Sequence, residues 1–117
     1  MDVWLLFFLG GIGYIGLELL WRGRSHLVMG VAGGLCTVLL FALYSKLALS
    51  PTAAFFFGAL IISAVEFLFG FVCNIKLQMN IWDYSRFRYN LYGQVCLGYS
   101  ALWGLLGLLL WALLSIV

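Results

Sequence analysis

The sequence predicts an all-α fold, an integral membrane four-helix bundle, and three observations carry that prediction. Hydrophobic residues make up 66% of the 117-residue chain and charged residues only 9%, so a soluble fold would lack the polar surface to cover its apolar one. The apolar residues fall into four runs, each near the roughly 20 residues that a helix needs to cross hydrocarbon. Charged side chains gather at the ends of these runs, and Glu18 and Glu66 stand inside them. The net charge of +2 is too small and dispersed for nucleic acid, so no nucleic-acid partner is expected. Residues 1–117 are read as a single transmembrane domain.

The first span is expected over residues 3–21. It lacks the basic start and small-x-small cleavage site of a signal peptide, so it is read as retained. Gly10, Gly11, Gly13 and Gly16 leave one side bare for a neighbouring helix. Trp21 suits the membrane boundary, with Arg22 and Arg24 on the water side; the helix either continues to His26 or breaks at Gly23. The second span, 27–44, is uncharged and contains Gly30-x-x-x-Gly34, a spacing that favours close helix packing. Ser45-Lys46 ends it, and Ser50-Pro51 supplies an N-cap followed by a proline in the first helical position.

The third span, 52–74, carries a small and polar stripe of Ala59, Ser63, Glu66, Gly70, Cys73 and Asn74, with phenylalanines over much of the remainder. An interfacial loop or short helix follows over 75–90, where Trp82, Tyr84, Phe87 and Tyr89 interleave with Lys76, Arg86 and Arg88. The fourth span is expected over 91–115 with Asn90 as its cap. Cys36, Cys73 and Cys96 are odd in number and lack CxxC spacing, so they are read as packing residues and no metal site or cofactor is expected.

The first and third connections hold Arg22, Arg24, Lys76, Arg86 and Arg88, whereas the second holds only Lys46. The bias predicts that those two connections lie in the cytoplasm and both termini outside. A weak parallel two-helix repeat is also legible, aligning Glu18 with Glu66, His26 with Asn74 and Met29-Gly30 with Tyr92-Gly93.

The polar residues within and beside the spans are the candidates for function. Glu18, Arg22 and His26 fall at i, i+4 and i+8, on one helical face, and Glu66, Gly70 and Asn74 repeat the spacing. An ionised carboxylate in hydrocarbon costs about 2.5–3.5 kcal/mol on insertion scales, so each glutamate needs partners, protonation or water. Glu18, Glu66, Arg22, Asn74 and Gln94 are candidate ligand- or ion-binding residues. Arg24, His26, Trp82, Asp83, Tyr84, Arg86 and Arg88 are candidates for a gate or for lipid-headgroup contact, with Asp83 and Tyr84 closing toward Arg22 or Arg24. The alternative readings are an ion pair at Glu18, inter-helix bonding by Asn74, Asn90 and Gln94, and a simple turn at Asp83. No Ser-His-Asp or Cys-His triad is legible, and no catalytic residue is assigned.

Glu18 with Trp21-Arg-Gly-Arg-Ser-His26, Glu66-Phe67 with Gly70 and Asn74, Trp82-Asp-Tyr-Ser85 and Asn90-x-x-Gly93-Gln94 together resemble the CmpB-like family of small four-helix membrane proteins. That family carries the name of type IV ABC-transporter proteins and has eukaryotic relatives similar to transmembrane protein 229. The resemblance spans nearly the whole chain and implies the fold more firmly than an activity. The sequence has no Walker A motif, so ATP hydrolysis would require a separate subunit.

The expected function is a transporter or channel-like component with a polar site near the cytoplasmic leaflet, built around the two glutamates. Membrane lipids are expected partners, and a homodimer or partner membrane subunit would complete a pathway that four short spans alone enclose poorly. Two alternatives stand beside it: a structural, lipid-binding or partner-binding subunit, and a membrane enzyme using Glu66 or His26 as a base on a lipid headgroup.

Overall fold

A computed structural model describes residues 2–23 and 25–116. Among the described residues four helices are long and apolar enough to cross a membrane, as the sequence predicts. They are α1 (Val3–Arg22), α2 (Leu27–Lys46), α3 (Pro51–Gly70) and α4 (Leu97–Ile116). A π-helical turn, Phe71–Lys76, prolongs α3, and a two-stranded antiparallel ribbon, β1 (Asn90–Leu91) and β2 (Val95–Cys96), precedes α4. The chain divides into two compact units, Met1–Leu43 and Tyr44–Val117.

In the first unit Asp2 caps α1 by accepting from the Trp4 amide at 2.7 Å. The helix breaks at Gly23, whose φ of 76° is the left-handed conformation that glycine adopts cheaply. His26 then starts α2, its Nδ1 accepting from the Val28 amide at 3.1 Å. Glycines set the α1–α2 contact: a Cβ on Gly11 would lie 2.6 Å from the Gly30 carbonyl oxygen, and one on Gly34 would lie 2.6 Å from that of Phe7. The Gly30-x-x-x-Gly34 pair therefore serves packing within the chain. Cβ atoms on Gly13 and Gly16 would meet nothing within 4 Å.

In the second unit Ser50 caps α3 through the Ala53 amide at 3.2 Å, with Pro51 in the first turn. Helices α3 and α4 pack as an antiparallel pair, Gly70 meeting Gln94, Ser63 meeting Ser100 and Gly58 meeting Gly107 in turn. At the last point the backbones touch: a Cβ on Gly58 would stand 2.9 Å from Gly107 Cα. Beside it the Tyr44 hydroxyl donates to the Ala54 carbonyl at 2.7 Å, satisfying a phenol that would otherwise be buried unbonded.

Two boundaries differ from the sequence reading. The third apolar segment continues to Lys76 instead of ending at Asn74, because the chain widens into the π-helical turn, where the Leu77 amide bonds the Val72 carbonyl. The fourth helix starts at Leu97, not Leu91, and Asn90 is not its cap. Tyr92 and Gly93, at φ of 53° and 72°, turn the chain back so that Leu91 pairs with Val95. Asn90 instead accepts from the Gly93 amide at 2.9 Å and donates to the Phe87 carbonyl at 2.7 Å.

Candidate functional site

Glu66 lies four residues before the end of α3, on the side that faces α4, and is only 6% exposed. Its Oε2 accepts from the Tyr84 hydroxyl at 2.8 Å, and its Oε1 accepts from Trp103 Nε1 at 3.1 Å. One donor comes from the connecting loop and the other from α4, so a single carboxylate bonds both to a spanning helix and to the segment outside the spans. Both are neutral donors, and bonds to an ionised acceptor are about twice as strong as neutral ones. The rings around the carboxylate support one another. Tyr84 and Tyr99 stack with centroids 4.9 Å apart, and Phe87 and Trp103 lie edge-on or tilted against Tyr99 at 5.9 Å each.

One turn from Glu66 along α3, Ser63 and Ser100 share a hydrogen bond of 2.7 Å across the helix pair. On the loop side of Glu66 the amides converge. Asn74 Nδ2 donates to Gln94 Oε1 at 2.9 Å, while Asn74 Oδ1 accepts from the Ile81 amide at 2.7 Å. Gln94 Nε2 donates to the Tyr92 carbonyl at 2.9 Å, and the Gln94 carbonyl accepts from Trp82 Nε1 at 2.9 Å. Asn74 and Gln94 thus tie the π-helical turn to the loop. Trp82, expected at the headgroup boundary, is instead buried at 4% exposure because its indole N–H finds that carbonyl inside the fold. Tyr84 is buried as well, at 3%, whereas Asp83, Arg86 and Arg88 are exposed.

Asp83 accepts from the Ser85 amide at 2.9 Å, as an aspartate in a turn does. That amide, then the Ser85 hydroxyl, and more weakly the nearby Arg86 charge hold its carboxyl below the usual 3.8.

In the first unit Glu18 is also only 6% exposed, and its Oε2 lies 3.3 Å from Arg22 Nε one turn on. Its Oε1 is buried without a hydrogen-bond partner, as is the Ser25 hydroxyl. Arg24 lies outside the described residues. His26 is engaged as the cap of α2. Within their own units, Glu18 lies beside a guanidinium, and Glu66 accepts from a phenol and an indole. Among the described residues no three His, Cys, Asp or Glu side chains gather as a metal site would require.

Trp103 was not anticipated as a partner of Glu66. Its signal in the sequence is an indole well inside an apolar run, away from either boundary, where a buried N–H requires an acceptor. Tyr99 and Ser100 were missed for a related reason, since they belong to a helix whose first turn was misplaced.

Four apolar spans with carboxylates buried inside two of them define an integral membrane protein of the small polytopic kind. The sequence matches the family described as "Putative ABC-transporter type IV" (ABC_trans_CmpB) over residues 4–117, and the chain belongs to that family. No curated protein and no solved structure matches it.

Proposed function

We propose that the protein is a small transporter or channel-like membrane component whose exchange group is Glu66, taking up and releasing a proton beneath a cover formed by the Tyr84 loop. The observation that carries this reading is the sharing of one buried carboxylate between a loop hydroxyl and a helix indole. Opening the Tyr84 bond would remove one donor from the carboxylate while Trp103 keeps the other oxygen in place. The hydroxyl and indole donors themselves carry no charge and stabilise the anion by hydrogen bonding. Glu18, beside Arg22, takes the anchoring role.

The family's transporter description supports the same class, with nucleotide hydrolysis assigned to another subunit because the sequence lacks a Walker A motif. The distribution of Lys and Arg supports a cytoplasmic Tyr84 loop with both termini outside, and the family resemblance supports a bacterial cytoplasmic membrane. A second copy or a partner subunit completes the pathway.

Reconstitution tests the proposal. Vesicles holding a pH-sensitive dye, under an imposed potassium gradient, should report proton flux for the native protein and for Glu18→Gln, and none for folded Glu66→Gln. Unchanged flux in Glu66→Gln overturns the assignment.

A second reading has its own observation. Glu66, Asn74 and Gln94 all bond groups of the loop or α4, as residues of a structural or partner-binding subunit would. Loss of assembly in Glu66→Gln, with no flux in the native protein, favours that reading.

A further inference from the structure

The segment from Lys76 to Tyr92 carries a feature that the exchange site does not use. Ser85-Arg86 and Arg88-Tyr89 form two successive turns on either side of Phe87, and Asn90 bonds into them. Asn90 Nδ2 donates to the Ser85 carbonyl at 3.3 Å and to the Phe87 carbonyl at 2.7 Å. The Phe87 amide donates to the Tyr84 carbonyl at 2.9 Å, and the Tyr89 carbonyl accepts from the Leu97 amide at 3.0 Å. Each cation is laid against a ring. Arg86 sits 5.1 Å from the Phe87 centroid, Arg88 5.6 Å from that of Tyr89, and Lys76 5.5 Å from that of Phe71. All three are exposed.

We propose that this stapled basic turn, with Lys76, binds the headgroup of an anionic phospholipid of the membrane that the protein spans. The inference does not depend on Glu66 being an exchange group. The segment joins the end of the third span to the start of the fourth, which sets it at the membrane boundary. Its surroundings are apolar as well as basic: Leu77 is 63% exposed, Tyr89 65% and Tyr92 74%. A free anion would meet the guanidinium groups and leave those surfaces in water. A phospholipid meets both, its phosphate on the cations and its acyl region on the exposed rings and leucine. Each basic residue near an anionic membrane surface strengthens binding about fivefold, and Asp83 offsets part of that gain.

The test uses the full chain in neutral detergent, titrated with phosphatidylglycerol, phosphatidylcholine or inorganic phosphate, with bound lipid counted by native mass spectrometry. Phosphatidylglycerol should be retained well over tenfold more tightly than phosphatidylcholine, as about fivefold per cation implies. Arg86→Gln with Arg88→Gln should weaken it about 25-fold, and Lys46→Gln, on the other connection, should leave it unchanged. Asn90→Ala keeps every charge but removes the staple, so it should also weaken retention. Equal retention of the two lipids, or an unaltered double variant, overturns the proposal. An unaltered Asn90→Ala means diffuse charge and not a built site, which overturns it too. Displacement of the lipid by inorganic phosphate would assign the turn to a free anion instead. Should the double variant fail to fold, Arg88→Gln alone and added salt on the native protein supply the same comparison.

Discussion

The Tyr84 hydroxyl and the Glu66 carboxylate, one on a connecting loop and one on a spanning helix, are joined by a hydrogen bond of 2.8 Å. Removing the hydroxyl while keeping the ring takes away that bond and leaves the stack on Tyr99. Tyr84→Phe should cost about 1–3 kcal/mol, the penalty for a buried acceptor that loses its donor. Amide hydrogen exchange will show where the cost falls: protection should drop across the loop and ribbon, residues 82–96, and hold in the middle of α3.

Glu18 and Arg22 give a different prediction, since the carboxylate is buried and the guanidinium side chain is 25% exposed. Arg22→Gln leaves a buried carboxylate without its cation, whereas Glu18→Gln leaves an arginine that can reach water. The first should be the more damaging. A loss of about 3–5 kcal/mol holds for a fully buried pair, and the partial exposure of Arg22 lowers the expectation to about 1–3 kcal/mol. Thermal unfolding of the two variants in the same detergent gives the order directly.

Glycine substitutions separate the packed faces from the open ones. A methyl on Gly58 meets the Gly107 backbone, which cannot move aside as a side chain could, so Gly58→Ala should destabilise by about 1–3 kcal/mol. Gly16→Ala enters open space and should gain up to about 1 kcal/mol from helix propensity. Unfolding in detergent reads both. A loss at Gly16 that appears only at high protein concentration would locate a second copy on that face.

Asp83 predicts a pH response confined to the loop. Its folded carboxyl titrates below the usual 3.8, so the bond to Ser85 contributes fully above that value and is lost as pH falls below it through the lowered one. Protection of the Ser85 amide should therefore decline as pH falls below 3.8, and Asp83→Asn should abolish the pH dependence.

The spans were legible because their signal is long and redundant. About 20 apolar residues, capped by Ser50-Pro51 or ended at Arg22-Gly23, leave few alternatives. The start of α4 was not legible in the same way. Residues 91–116 are uncharged throughout and mostly apolar, and hydrophobicity alone cannot separate a β-ribbon from the helix that follows it. Length held the clue, since about 20 residues suffice to cross and the run exceeds that by the residues the ribbon takes. Glu66 was readable as a site because a carboxylate in a span requires an explanation. Its partners were not, since Tyr84 is 18 positions away and Trp103 is 37, and nothing local in the sequence encodes those distances. Asn74 and Gln94 were readable as polar residues near a boundary, but the structure uses them to bond each other across 20 positions.

The central claim is that Glu66 exchanges a proton. Infrared spectroscopy of the reconstituted protein tests it most directly, with the Glu66 carboxyl band identified as the one missing from Glu66→Gln. The account predicts that this band appears and disappears reversibly as the pH on the loop side is stepped, and responds more readily in Tyr84→Phe. A Glu66 carboxyl that stays in one protonation state over the whole pH range in which the protein remains folded would contradict it.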